Sequence, residues 1–238
     1  MTLLAIVQTA ADMVGLTRPA SVYTSTDPAV RRMLALSNLG ARELSRRHDW
    51  TALIREATWT TVATQSQGTL ASIATDLDYQ SGARIIGETI WDRTAQRRLA
   101  GPEDSRDWQR LTAANTSGPY SVYRIRANTL YLIPAPTAGH TAAFEYITKN
   151  WCQSSGGTAQ TAWGADTDTA LLSEHLLTLD LVWRFKMSNE MSWENDYQVF
   201  DRAVAQAIGH DGTSRTLNIG DDDRMPYVVG VPEGSWDL

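Results

Sequence analysis

Residues 123–151 read YRIRANTLYLIPAPTAGHTAAFEYITKNW, and residues 166–186 read DTDTALLSEHLLTLDLVWRFK. In the first stretch Ala142, Phe144, Tyr146 and Thr148 alternate with Ala143, Glu145 and Ile147, the two-residue period of a strand. In the second, Leu172, Leu176, Leu179, Trp183 and Lys186 share a face at helical spacing, with Ser173 or Asp168 as cap and Asn189 as stop. The change of period along one chain predicts an α+β fold. The run ending at Arg126 and the run starting at Leu130 read as a hairpin turned by Ala127, Asn128 and Thr129, because Asn tolerates left-handed backbone angles. A second turn, Pro134 to Gly139, feeds the strand that follows.

Upstream, Leu3, Ile6, Val7, Ala10 and Val14 recur every three or four residues, with Thr2 to cap a helix and Gly15 to close it. Asp27 before Pro28 is a second helix start, since Asp bonds free amides and Pro fits the first helical position. Val30, Met33, Leu34, Ser37, Ala41 and Leu44 form its stripe, while Arg31, Arg32, Arg42, Glu43, Arg46 and Arg47 fall mostly off it. From Thr51 to Asn150 short runs rich in Thr, Val, Ile, Tyr and Trp (58–63, 69–75, 84–92, 120–127, 130–133 and 141–151) read as strands, with one helix over 103–111. Residues 153–169 read as a loop. A last helix is expected from the cap Ser192 to Gly209, with Trp193, Tyr197, Phe200, Val204 and Ile208 as its stripe. The expected domains are a helical bundle (1–50 and 165–209), an inserted antiparallel β domain (51–164) and an extended C-terminal arm (210–238).

The chain has 238 residues, a net charge of −6, 42% hydrophobic residues and one cysteine. These values exclude a disordered chain and a disulfide scaffold. No apolar run reaches the ~18 residues of a membrane helix, and Met1 to Val14 lacks the charge order of a signal peptide, so neither membrane insertion nor export is expected. Nine Trp stand against three Phe, and 19 of the 21 basic residues are Arg. Trp and Arg are enriched where proteins meet proteins. The last 29 residues carry six acids and two Arg, yet also Met225, Tyr227, Val228, Val229, Val231 and Trp236. An extended arm is the natural reading, and that apolar content makes docking on a partner the competitor of plain disorder for it.

Catalytic signatures are absent: no phosphate-binding glycine loop, no nucleophile elbow and no H-E-x-x-H. The four histidines (His48, His140, His175 and His210) are scattered, and Cys152 has no basic neighbour in sequence, so no catalytic or metal site and no cofactor is expected. Asp221, Asp222 and Asp223 do not make an EF-hand loop, because the calcium-binding pattern wants Glu at position twelve and Glu233 is thirteenth. Asp166 and Asp168 suit turn and cap duty. The arginine pairs on helices suit a solvated face or an inter-subunit salt bridge, with Arg31, Arg32, Arg46 and Arg47 as candidates; the acidic total argues against sequence-specific nucleic-acid binding. An alternative reading is a carbohydrate-binding β-module using Trp59, Trp91 and Trp108 as stacking platforms.

In their order, LLAIVQTAADMVG (3–15), the helix ending RELSRRHDW (42–50), TIWDR (89–93), the 123–151 stretch and the 166–186 stretch resemble the head-to-tail adaptor proteins of short-tailed phages, the tail tubular protein A family. The resemblance implies a ring, usually of twelve copies, beneath the portal protein at the capsid vertex of the virion. It also implies a tail nozzle protein below the ring and DNA passing through without sequence-specific binding. Synthesis in the host bacterial cytoplasm, no membrane contact, and an arm reaching toward the portal follow from the same likeness.

Overall fold

The computed structural model describes residues 2–114 and 121–212. The arm proposed from Met225, Tyr227, Val228, Val229, Val231 and Trp236 lies outside the described residues. In chain order the helices are α1 (Leu3–Val14), α2 (Pro28–Arg47), α3 (Leu70–Ile73), α4 (Ser105–Ala114), α5 (Glu174–Ser188) and α6 (Glu194–His210). The strands are β1 (Ile54–Thr60), β2 (Ser66–Thr69), β3 (Arg84–Ile85), β4 (Trp91–Asp92), β5 (Arg97–Arg98), β6 (Val122–Arg126), β7 (Thr129–Ile133), β8 (Thr141–Ile147), β9 (Cys152–Gln153), β10 (Ala159–Gln160) and β11 (Thr169–Ala170). The fold is α+β, with helices at both ends of the described chain and antiparallel sheets between them. The described residues divide into two compact units, 2–54 with 149–212, and 55–148. Residues 149–164, assigned above to the β domain, group here with the helices.

In the helical unit the two N-terminal helices begin as their caps dictate. Thr2 accepts from the Ala5 amide, Asp27 accepts from the Ala29 amide, and Gly15 ends α1 at φ 76°. α5 is the axis of the unit, packed by α1, α2 and α6. Its surroundings explain a departure from the single stripe expected of it: Leu176, Leu177, Leu181, Val182, Trp183 and Phe185 are all buried, and so are Thr178, Asp180 and Arg184. A helix covered on every side buries its whole circumference, polar positions included. α6 starts after Trp193, not at a Ser192 cap, and runs through Gly209 to His210; of its stripe only Phe200 and Val204 are buried.

The expected 153–169 loop contains a small antiparallel sheet in the order β10-β9-β11. Its strands have two residues each, too few to leave a periodic signal. It docks the start of α1: the Leu3 amide donates to the Asp168 carbonyl at 2.9 Å and the Leu4 amide to the Asp166 carbonyl at 3.2 Å. Asp168 accepts from the Gly164 and Ala165 amides, and Asp166 from the Val22 and Tyr23 amides. Asp168 therefore does the turn duty read from the sequence, whereas Asp166 does not: it ties this segment to the loop that follows α1.

The β unit has two sheets. One runs β1-β8-β4-β5 with β3 also paired to β8, and the other runs β2-β7-β6. β6 and β7 form the predicted hairpin, closed by the pair Arg126 and Thr129 with Ala127 at φ 48° and Asn128 at φ 55°. Two successive left-handed residues define the tight turn whose twist matches that of its strands. The 69–75 run is not one strand. β2 stops at Thr69, whose hydroxyl accepts from the Ser72 amide and opens the single turn α3. The 84–92 run splits into β3 and β4, with Glu88 at φ 65° between them. Trp59, Leu70, Leu77, Ile90, Tyr123, Leu130, Leu132 and Phe144 form the core of this unit.

Candidate interaction surface

α2 shows two opposite stripes. Val30, Met33, Ser37, Gly40, Ala41 and Leu44 are buried. Arg31, Ala35, Leu39, Arg42 and Arg46 are exposed along the other side. The spacing of this second set, four, four, three and four residues, places the five side chains in one row. Leu39 is 46% exposed in the middle of it, an apolar side chain between Ala35 and Arg42. Arg31 and Arg42 have no ion-pair partner among the described residues.

The four arginines nominated from sequence do not act alike. Arg31 and Arg46 stand in the outward row. Arg32 donates to Asn189 Oδ1 at 2.7 Å, beyond the end of α5. Arg47 approaches Asp201 Oδ1 at 3.4 Å, and its guanidinium sits 5.4 Å from the centre of the Phe200 ring. Arg32 and Arg47 thus tie α2 to its own neighbours, whereas Arg42 and Leu39 complete the outward row. The four-residue spacing from Arg31 through Ala35 to Leu39 was the signal that would have selected them.

A charge network that runs from buried Asp180 and Arg184 out to exposed Glu43 holds α2 against α5. Arg184 donates from Nε to Asp180 Oδ2 at 2.8 Å and from Nη2 to Glu43 Oε2 at 2.5 Å. Trp183 Nε1 donates to the other Asp180 oxygen at 3.1 Å. Burial pushes the Asp180 carboxyl up, while Asp180 and Glu43 outweigh the burial of Arg184 and hold it charged. These directions pull Asp180 and Arg184 apart; a guanidinium keeps its proton at any working pH, so the carboxylate facing it is ionised. Gly40 lets α2 lie against this pair, since a Cβ there would collide with the Asp180 carboxylate. Beside the network, Glu43, Arg47, Trp183, Tyr197 and Phe200 line a recess of about 160 Å³.

At the C-terminal end of α2, Asp211 closes a clasp. Its carboxylate accepts from the Thr51 amide at 2.9 Å and the Thr51 hydroxyl at 2.5 Å, and lies 3.4 Å from His48 Nε2. The last described residues are therefore pinned beside His48 and Thr51.

In the β unit His140 Nδ1 pairs with Asp92 Oδ2 at 2.7 Å, at the edge of a recess of about 170 Å³ that Arg97, Arg98, Leu132 and Pro134 also line. His175 and His210 are exposed. Cys152 is buried, and burial pushes its thiol up to about 12. Among the described residues no three His, Cys, Asp or Glu gather where they could hold a metal, and no helix is long and apolar enough to cross a membrane. The three stacking platforms are not brought together as a surface. Trp59 and Trp108 are buried in the unit, and only Trp91, 40% exposed, faces outward.

The family model described as SU10 adaptor protein matches residues 1–226 of the chain. No curated protein matches it.

Proposed function

This chain belongs to the SU10 adaptor protein family, a phage head-tail adaptor family, and from that premise we propose that it closes into a ring between portal and tail nozzle. As a member of that family it is a phage component that works against other phage structural proteins. The finer reading is a ring of twelve copies at the portal vertex of the virion, with DNA passing through the lumen. Its role is to couple surfaces, with no reaction and no cofactor. The match along residues 1–226 carries the reading. The row Arg31, Ala35, Leu39, Arg42 and Arg46 supports it, because ring subunits meet through heterologous contacts and such a row suits one half of them. Arg32 and Arg47 contribute by holding α2 in place. Met225, Tyr227, Val228, Val229, Val231 and Trp236 are assigned to docking on the portal.

Mass measurement of the purified chain, alone and mixed with portal protein, tests the proposal. A closed multimer of this chain bound to portal is expected, and a chain that stays monomeric and unbound beside assembled portal overturns it. Deleting residues 213–238 is expected to leave a folded monomer that no longer docks. Replacing Arg31 and Arg42 together by Glu is expected to abolish the closed multimer without lowering the thermal midpoint by more than about 2 °C, because exposed substitutions rarely change stability.

A further inference from the structure

We propose that the exposed ring of Tyr23 is the knob by which one copy of this chain docks on the next, seated in the recess between α2, α5 and α6 of that neighbour. The recess is aromatic inside and charged at its rim. Trp183 and Phe200 are 8% and 3% exposed, Tyr197 stands beside them, and Glu43 and Arg47 border it from α2. Its volume is about 160 Å³. An apolar cavity of about 150 Å³ accepts one benzene ring, so the space suits a single aromatic side chain. Trp183 and Tyr197, inclined at 75°, offer such a ring both an edge and a face.

Among the described residues the exposed Trp, Tyr or Phe side chains are Tyr23, Tyr79 and Trp91. Tyr79 is engaged in its own chain, since its hydroxyl accepts from the Ile85 amide at 3.2 Å. Trp91 carries two fused rings, more than the recess holds. Tyr23 is 49% exposed, and its hydroxyl has no hydrogen-bond partner among the described residues. Its backbone is nonetheless fixed. Asp166 Oδ1 accepts from the Val22 and Tyr23 amides at 3.0 and 2.7 Å, the Ser21 and Thr24 hydroxyls meet at 2.6 Å, and Val22 is fully buried. A ring held out on an anchored turn loses little freedom on binding. The polar groups match as well: Arg184 donates to Glu43 Oε2, which leaves Glu43 Oε1 without a hydrogen bond among the described residues and able to accept from the Tyr23 phenol. Knob and recess are different patches of one chain, so their contact is of the head-to-tail kind that closes rings; it rests on the ring reading above and names residues for its subunit contact.

Photo-cross-linking of the full chain mixed with portal protein tests the contact, with p-azidophenylalanine in place of Tyr23, which keeps the ring and puts a photoreactive group where the hydroxyl stood. Mixing nitrogen-15-labelled and unlabelled chains identifies links between copies. Mass spectrometry is expected to join position 23 of one copy to the peptides holding Trp183, Tyr197 or Phe200 of another. A multimer on portal in which position 23 links only within its own chain, to portal or to other peptides of the neighbour overturns the contact and leaves the ring standing. Absence of any multimer on portal overturns the ring, and the contact with it. In a second measurement, Tyr23→Ala is expected to raise the chain concentration at half-assembly about tenfold or more. Its thermal midpoint should stay within about 2 °C, because the substitution is at an exposed site. Tyr23→Phe, which keeps the ring and loses the phenol, should fall between Tyr23→Ala and the unsubstituted chain. Assembly of Tyr23→Ala at the unsubstituted chain's concentration overturns the proposal.

Discussion

Gly40 and Asp180 carry a constraint that neither residue type announces. A glycine inside α2 reads as a weak point, and an aspartate and arginine four apart in α5 read as a surface pair. Only the packing of α2 on α5 makes the missing Cβ and the buried carboxylate complementary, which is why the inner network was not legible from spacing. Gly40→Ala is expected to lower stability by about 2–4 kcal/mol, since it overpacks the interface and pushes Asp180 away from Arg184. The shift of the urea midpoint measures it. A second residue-scale effect is pH dependence. Burial pushes the Tyr123 phenol up to about 12, and burial with the Asp76 hydrogen bond pushes Tyr146 up as well. Unfolded, both lose their protons near pH 10. Between those values the unfolded chain binds fewer protons than the folded one, so stability falls as pH rises, by up to about 1.4 kcal/mol per pH unit for each phenol. Urea midpoints at pH 8 and pH 11 should show the drop, and Tyr123→Phe should flatten it.

At the scale of elements, starts were more legible than surroundings. α1 and α2 follow from Thr2, Gly15, Asp27 and Pro28, because capping is a local interaction written in adjacent residues. The strand expected over 69–75 failed for the same kind of reason in reverse: Thr69 is a good strand residue and an equally good helix cap, and the Ser72 amide decides between them. α6 shows the limit of a stripe. Trp193, Tyr197, Phe200, Val204 and Ile208 are correctly spaced, yet Trp193 is only half-buried at the helix start while Phe200 is 3% exposed. Phe200→Ala is therefore expected to cost about 3–5 kcal/mol. Trp193→Ala should cost about half as much, its ring losing contact with Trp183 and Tyr197 on one side only. Thermal or chemical denaturation of the two variants side by side checks the order; equal losses would contradict it.

For the whole molecule, class and general role were readable from sequence, because the α+β succession and the order of its pieces extend over most of the chain. Which arginines face outward was not, since that depends on what α5 and α6 cover. The location of α5 has a further effect on biosynthesis. The helix that shields α1 and α2 is translated on the order of a hundred residues after them, whereas the described residues of the β unit all come from the stretch 55–148. Vectorial synthesis should thus complete the β unit first. Nascent chains arrested on the ribosome with residues 1–160 emerged should resist protease over 55–148 and be cut within 2–54. Chains extended past α6 should resist in both. A chain terminated before α5 consequently lacks the helix that covers the buried stripe of α2.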